Sequence, residues 1–190
     1  MNLIVTPDPI LPEVLLVQSA GQGDAQDWHS EAFNEAAFQV VGIPAHTVQD
    51  NHSRSAEAGP LRGHLYQAAQ AKLVRCVRCP KTCVIVDFRG SSSCFGHHIT
   101  PDQNEADRLQ VFPSEGFAYG FGTLKPGSDG IYKITACYSS ALDFGIVLDS
   151  LALAIRRLFA ASTPTLSERD CKHLRITEAP QQFAFSGASE

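Results

Sequence analysis

The chain has 190 residues, 44% of them apolar and 18% charged, with a net charge of −5. That composition excludes a disordered chain, and the length gives one sizeable core, so a single domain over residues 1–190 is expected. The acidic balance argues against a nucleic-acid partner, and no apolar run approaches the roughly 18–20 residues that span a bilayer, so no membrane partner is expected. The scattered 14 glycines and 11 prolines predict many turns and short strands.

In chain order, residues 3–5 and 14–17 are short apolar runs separated by prolines, which predicts edge strands. Residues 21–27 read as a polar turn. Residues 30–41 put Phe33, Ala36, Ala37 and Val40 on one face of a short helix with Ser30 as its cap. Residues 48–55 are strongly polar, and residues 56–60 are a turn. The stretch 61–75 then gathers Arg62, His64, Tyr66 and Lys72. A guanidinium can hold phosphate, an imidazole can take a proton, and an ammonium can steady a negative oxygen. Residues 73–77 and 84–88 are apolar, β-branched runs joined by Cys79-Pro80-Lys81, which predicts a hairpin. Residues 111–121 predict strand–turn–strand through Ser114-Glu115-Gly116. Residues 131–135 alternate with period two and predict a further strand. Residues 148–159 have helical spacing, residues 166–170 predict a turn or short helix, and the tail 179–190 is expected to be loosely ordered. Turn signals recurring about every 8–12 residues point to an antiparallel sandwich or barrel.

The N-terminal residues lack the basic and apolar regions of a signal peptide, so a cytoplasmic enzyme or binding protein is expected. The six cysteines are then expected to be thiols. Cys76-x-x-Cys79-x-x-x-Cys83 has zinc-like spacing but no fourth ligand, so buried or incidental thiols are expected. His97 and His98 are adjacent and would diverge on a strand, so no metal is expected. No glycine-rich phosphate loop is present.

Ordered blocks of the sequence carry a resemblance. They are Val48-Gln49-Asp50-Asn51-His52-Ser53-Arg54-Ser55, Leu61-Arg62-Gly63, Tyr66-Gln67, Lys72-Leu73-Val74-Arg75, Val86-Asp87-Phe88-Arg89 and Phe95-Gly96. Further along come Pro113, Gly116-Phe117-Ala118, Gly120-Phe121, Tyr132-Lys133 and Leu166-Ser167-Glu168-Arg169-Asp170. In this order they resemble the dTDP-4-dehydrorhamnose 3,5-epimerase family. The resemblance implies an all-β cupin jelly-roll barrel with a few short helices. It also implies a homodimer in contact through the N-terminal strands of residues 1–20. The implied partner is a dTDP-linked 4-keto sugar, and no cofactor is implied. The implied activity is epimerisation at C3, C5 or both of a dTDP-4-keto-6-deoxyhexose, through an enolate.

By the same resemblance His64 is the base, Asp170 orients it, Tyr132 is the acid and Lys72 steadies the enolate. Arg62 falls on the diphosphate arginine, Arg169 on a basic nucleotide contact, and Gln49 and Asn51 on thymidine-side contacts. Glu31 falls on a base-contacting glutamate, Asp143 on an acidic nucleotide-binding residue, and Tyr138 on an aromatic lining the sugar pocket. Tyr119 replaces the family's His in Gly-Phe-Ala-His-Gly-Phe and is a substitute base candidate. Asp87 is expected to be a structural acid paired with a cation.

The family's Leu-Arg-Gly-Leu-His-Tyr-Gln reads Leu61-Arg62-Gly63-His64-Leu65-Tyr66-Gln67 here. Regular alternation points Leu65 into the barrel and His64 outward. A bulge in this strand would turn His64 inward. The family's phosphate-binding Asp-x-Arg-Gly turn reads Asp24-Ala25-Gln26-Asp27 and lacks its Arg. The alternatives are a non-catalytic nucleotide-sugar-binding cupin and a 3,4-ketoisomerase of the same substrate.

Overall fold

The polar stretch 49–55 is a strand because alternate residues have opposite surroundings: Gln49, Asn51 and Ser53 are half-buried, while Asp50, His52 and Arg54 are exposed. The same period-two logic runs through most of the chain. The structure is a computed structural model that describes residues 2–24, 27–43, 46–58, 60–67, 70–78, 80–140, 143–146, 165–166, 173–176 and 178, with 60–67 and 165–166 described by backbone alone. Its first elements are β1 (Leu3–Pro7), β2 (Leu15–Ser19), β3 (Gln22–Gly23), β4 (Trp28–His29) and α1 (Glu35–Val40). The central ones are β5 (Gln49–Ser55), β6 (Pro60–Gln67), β7 (Lys72–Arg78), β8 (Lys81–Asp87), β9 (His98–Ile99) and β10 (Asp102–Gln103). The last are β11 (Leu109–Phe112), β12 (Phe117–Thr123), β13 (Ser128–Ile134), β14 (Asp143–Ile146) and β15 (Thr165–Leu166).

One sheet has the order β1-β2-β11-β7-β13-β5 and the other β10-β8-β12-β6-β14, with β9 on β8 and β15 on β6. The long strands β5, β6, β7, β8, β11, β12, β13 and β14 fall alternately in the first and second sheet. That is the winding of a jelly roll, so the expected all-β cupin barrel is what forms. A core of Leu11, Val14, Ile85, Ile99, Val111 and Phe117 joins the two sheets. A second cluster packs Phe38 of α1 with Val17, Leu73 and Phe112 on the other side of the first sheet.

Some local expectations change. The runs 73–77 and 84–88 are not a hairpin. They lie in β7 and β8, which belong to different sheets, and the chain crosses between sheets around Pro80. A turn signal marks a reversal, and a reversal at a sheet corner leaves the same trace as one within a sheet. β1 is an edge strand, but β2 is internal, between β1 and β11. Residues 22–29 hold a small antiparallel pair, β3 with β4. Ser30 does not cap the helix. Asn34 does, its Oδ1 accepting from Ala37 N–H at 3.1 Å, while the Ser30 hydroxyl lies 3.3 Å from that of Ser19. A helix of six residues cannot persist by propensity alone. Fully buried Phe38, its ring tilted against that of Phe33 at 5.1 Å between centroids, anchors it and contributes about 1.5–3 kcal/mol by burial. Of residues 166–170, Leu166 ends β15, which runs parallel to β6. The rest of that segment, the helix expected over 148–159 and the tail 179–190 lie outside the described residues.

Asp87 is the structural acid anticipated. Its carboxylate accepts from Arg89 Nε at 3.0 Å, from Arg89 Nη2 at 2.7 Å and from the Ser92 hydroxyl at 2.7 Å. Burial works to raise its pKa, and these hydrogen bonds bring it below the usual aspartate value. Arg89 reaches on to Glu13 at 2.8 Å and covers the Phe117 ring at 4.5 Å.

Candidate active site

Three adjacent strands of the first sheet build one wall. Their register aligns Gln49, Ile134 and Lys72 in one row, Asn51, Tyr132 and Val74 in the next, and Ser53, Gly130 and Cys76 in the third. Directly paired residues share a face, so the three rows look into the barrel. The opposite sheet supplies Lys81 from β8, Gln103 from β10, and Tyr119 and Phe121 from β12. Between the two walls lies a cavity of about 250 Å³.

Its electrostatics are one-sided. Lys72, Arg75 and Lys81 line it, and no Asp or Glu does so among the described residues. Burial depresses the Lys72 ammonium to about 8, against the pull of Asp143, which acts the other way from the start of β14. Lys81 is 4% exposed and sits 4.8 Å above the Phe121 ring centroid. Burial lowers its pKa as well. Its place depends on Gly130: a Cβ there would stand 2.7 Å from the Lys81 Nζ.

Two phenols complete the interior. Burial raises the pKa of Tyr132, so it holds its proton at neutral pH. Tyr119 is pushed well above the usual 10, by burial first and then by Cys83 and nearby Tyr132. On the first wall Gln49 Nε2 donates to Asn51 Oδ1 at 2.7 Å. The Asn51 Nδ2 is buried and has no hydrogen-bond partner among the described residues, so a donor stands ready beside the cavity.

The expected site residues sort as follows. Lys72, Tyr132 and Tyr119 meet at the cavity, with Gln49 and Asn51 on the same face of the first sheet and Asp143 close to Lys72. Glu31 is exposed and accepts from the Asn34 side chain at 2.8 Å, beside the cap of α1. Tyr138 is 58% exposed, beyond the end of β13, and does not line the cavity. Arg169 and Asp170 lie outside the described residues.

Arg62 and His64 stand on β6, whose backbone register is informative. Tyr119 pairs with Leu65 and Phe121 with Arg62, so two steps along β12 match three along β6. The extra residue lies in Gly63–His64. On the other side β6 pairs regularly with β14, His64 opposite Ile146. The strand is therefore bulged where regular alternation had turned His64 outward.

Sequence reasoning missed Lys81, Gln103, Ser53, Phe121 and Gly130 as cavity residues. Lys81 carried a signal: it is a charge at the head of β8, a strand buried at every position. Cys83 is also more than an incidental thiol, since its Sγ lies 3.2 Å from the Tyr119 hydroxyl. Cys76, Cys83, Cys94 and Cys137 are all thiols, and Cys79 and Cys171 lie outside the described residues. Among the described residues no three His, Cys, Asp or Glu side chains gather to hold a metal, and no helix is long and apolar enough to cross a membrane.

Known proteins are similar to this chain in sequence and in fold. The family model for dTDP-4-dehydrorhamnose 3,5-epimerase matches residues 9–178. The dTDP-4-dehydrorhamnose 3,5-epimerase of Sinorhizobium fredii is 35% identical, over 92% of this chain and 91% of its own length. That of Shigella flexneri is also 35% identical, over 94% of this chain and 98% of its own. Among solved structures, a dTDP-6-deoxy-D-glucose-3,5-epimerase from Legionella pneumophila in complex with dTDP-4-keto-L-rhamnose superposes with a TM-score of 0.90 at 27% identity, covering 98% of this chain and 100% of that one. The Bacillus anthracis dTDP-4-dehydrorhamnose 3,5-epimerase with TDP and PPi bound gives 0.85 at 29% identity, covering 92% and 99%.

Proposed function

The chain belongs to the dTDP-4-dehydrorhamnose 3,5-epimerase family, and on that basis we propose that it epimerises a dTDP-4-keto-6-deoxyhexose at C3, C5 or both. The observation that carries this reading is the meeting of Lys72 and Tyr132 in one buried cavity free of carboxylates among its described lining. The ketone at C4 acidifies the protons on C3 and C5. A base removes one, the electron pair moves onto the C4 oxygen, and an acid returns a proton to the opposite face. The Lys72 ammonium, inside a low-dielectric cavity, is placed to steady that oxygen. Tyr132 keeps its phenolic proton at neutral pH and is the acid.

His64 is the base in this reading, oriented by Asp170. The β6 bulge at Gly63–His64 supports it, because a bulge re-aims the residue it inserts. Arg62, one step before the bulge, and Arg169 are assigned to the diphosphate. Gln49, Asn51, Glu31, Asp143 and Tyr138 are assigned to the rest of the nucleotide sugar. A homodimer is proposed through β1, a sheet edge whose Ile4 is 65% exposed. One catalytic unit per chain and a cytoplasmic location complete the reading.

The test is direct. Incubation with dTDP-4-keto-6-deoxyglucose in deuterated water should place deuterium at C3, C5 or both. A substrate recovered without deuterium at either carbon overturns the epimerase assignment.

A further inference from the structure

The cavity floor contains a hydrogen-bonded chain whose proton positions follow from counting. Gln103 is 1% exposed, and its Nε2 donates to the carbonyl of Val74 at 3.0 Å and to that of Leu109 at 3.1 Å. Both amide hydrogens are thereby used, and turning the amide over would set its oxygen against two carbonyls. The Oε1 consequently faces Cys83 Sγ, 3.0 Å away. An amide oxygen only accepts, so the single thiol proton lies on that line. Toward the Tyr119 hydroxyl, 3.2 Å away, the sulfur has no proton left to give. Tyr119 must therefore donate to sulfur. Cys83 is fully buried and its thiol is pushed up to about 12, so it stays neutral. The phenolic oxygen keeps its lone pairs, and among the described residues nothing else hydrogen-bonds to it.

We propose that Gln103, acting through Cys83, fixes Tyr119 as a hydrogen-bond acceptor for a hydroxyl of the sugar. Tyr119 is then a specificity-determining residue, and it is not the substitute base. A base at this position would have to give up the proton committed to sulfur. The proposal rests on the epimerase reading for its substrate class. In a 4-keto-6-deoxyhexose joined to the nucleotide through O1, only the C2 and C3 hydroxyls remain to be accepted. A ketone, a methyl group or a deoxygenated carbon offers no donor, and a buried acceptor left without one penalises such a sugar.

Binding experiments separate this proposal from the epimerase reading, because they need no turnover. Calorimetry on the full chain with dTDP-glucose and its 2-deoxy and 3-deoxy analogues should show a preference for dTDP-glucose over one analogue of about tenfold. Tyr119→Phe, which removes only the oxygen, should abolish that preference. Cys83→Ser retains one donor and one acceptor and should keep it, whereas Cys83→Ala frees the phenol to rotate and should weaken it. In the deuterium-exchange reaction Tyr119→Phe should raise KM about tenfold, with kcat changed by less than about threefold and its pH profile in place. A kcat loss of about a thousandfold for Tyr119→Phe would mean a base and overturn the proposal. Equal affinity of the wild type for all three sugars, or binding of none, would also overturn it. Absence of deuterium exchange in the wild type, with the sugar preference intact, would remove only the epimerase reading.

Discussion

The molecule treats buried positive charge in two ways. Around Arg89 the guanidinium meets Asp87 at 2.7 Å and Glu13 at 2.8 Å, and the Ser92 hydroxyl donates to the same Asp87 oxygen, Oδ2. In the cavity, Lys81 is as buried but has an aromatic ring below it and no ion pair among the described residues. The first arrangement is complete in the protein alone. The second costs desolvation energy that folding does not return, and an anionic or electron-rich ligand would return it. Matched charges mark where the chain holds itself together, and unmatched ones mark where it expects company.

The sharpest test on the cavity side is at Lys72, whose buried ammonium feels the pull of Asp143. Lys72→Met should lower kcat for C3 or C5 exchange by about 10²–10³-fold while the protein stays folded, as checked by circular dichroism beside the exchange assay. Unfolding of Lys72→Met, or unchanged exchange, would erase the distinction drawn here. In the other region, Asp87→Asn should lower unfolding free energy by about 3 kcal/mol in a urea titration, because Arg89 loses its principal partner. Activity per folded molecule should stay the same.

The pH dependence sharpens the comparison. In the folded chain the Lys72 ammonium titrates at about 8, against an ordinary value of 10.5. Activity that needs the ammonium should therefore fall as pH rises through about 8. Stability should move oppositely. Between about 8 and 10.5 the unfolded chain holds the extra proton, so this residue's penalty is full below pH 8 and relieved by pH 10.5. Parallel pH series of exchange rate and urea midpoint for the wild type and Lys72→Met would resolve both limbs.

The smallest expected effect is at Lys81. Lys81→Met should raise the unfolding free energy in a urea titration by roughly 1 kcal/mol and weaken dTDP-sugar binding by a similar amount, about fivefold by calorimetry. A drop in both quantities would make Lys81 a structural residue like Arg89.

Much of this was legible in the sequence, and the illegible parts share a cause. Residues 131–135 announced themselves through alternation, whereas residues 49–55 read only as a polar stretch, because the half-buried face of that strand carries Gln49, Asn51 and Ser53. Asp87 was readable as a structural acid paired with a cation, and the structure supplies that cation from the same short segment, Arg89. Lys72 and Tyr132 came from ordered blocks rather than from any local pattern. Lys81, Gln103 and Cys83 were not read as a site, because their meaning depends on which sheet each strand joins. β7 and β8 looked like hairpin partners, and only the crossing between sheets sets Lys81 and Cys83 opposite the row of Gly130 and Ser53. Tyr119 was recognised as a replacement, but its proton direction depends on Gln103, sixteen positions away and on a two-residue strand.

The bulge in β6 has a consequence for how positions along the strand are counted. On one side of Gly63 the strand keeps step with β12 through Leu61 and Arg62, and on the other through Leu65, one residue out of phase. Odd and even thus stop being a fixed label for inside and outside. A residue transferred to this strand by counting from its neighbours arrives one place off on one side and correctly on the other. The exchange of His64 and Leu65 in the sequence thus falls at the place where the strand's count shifts by one.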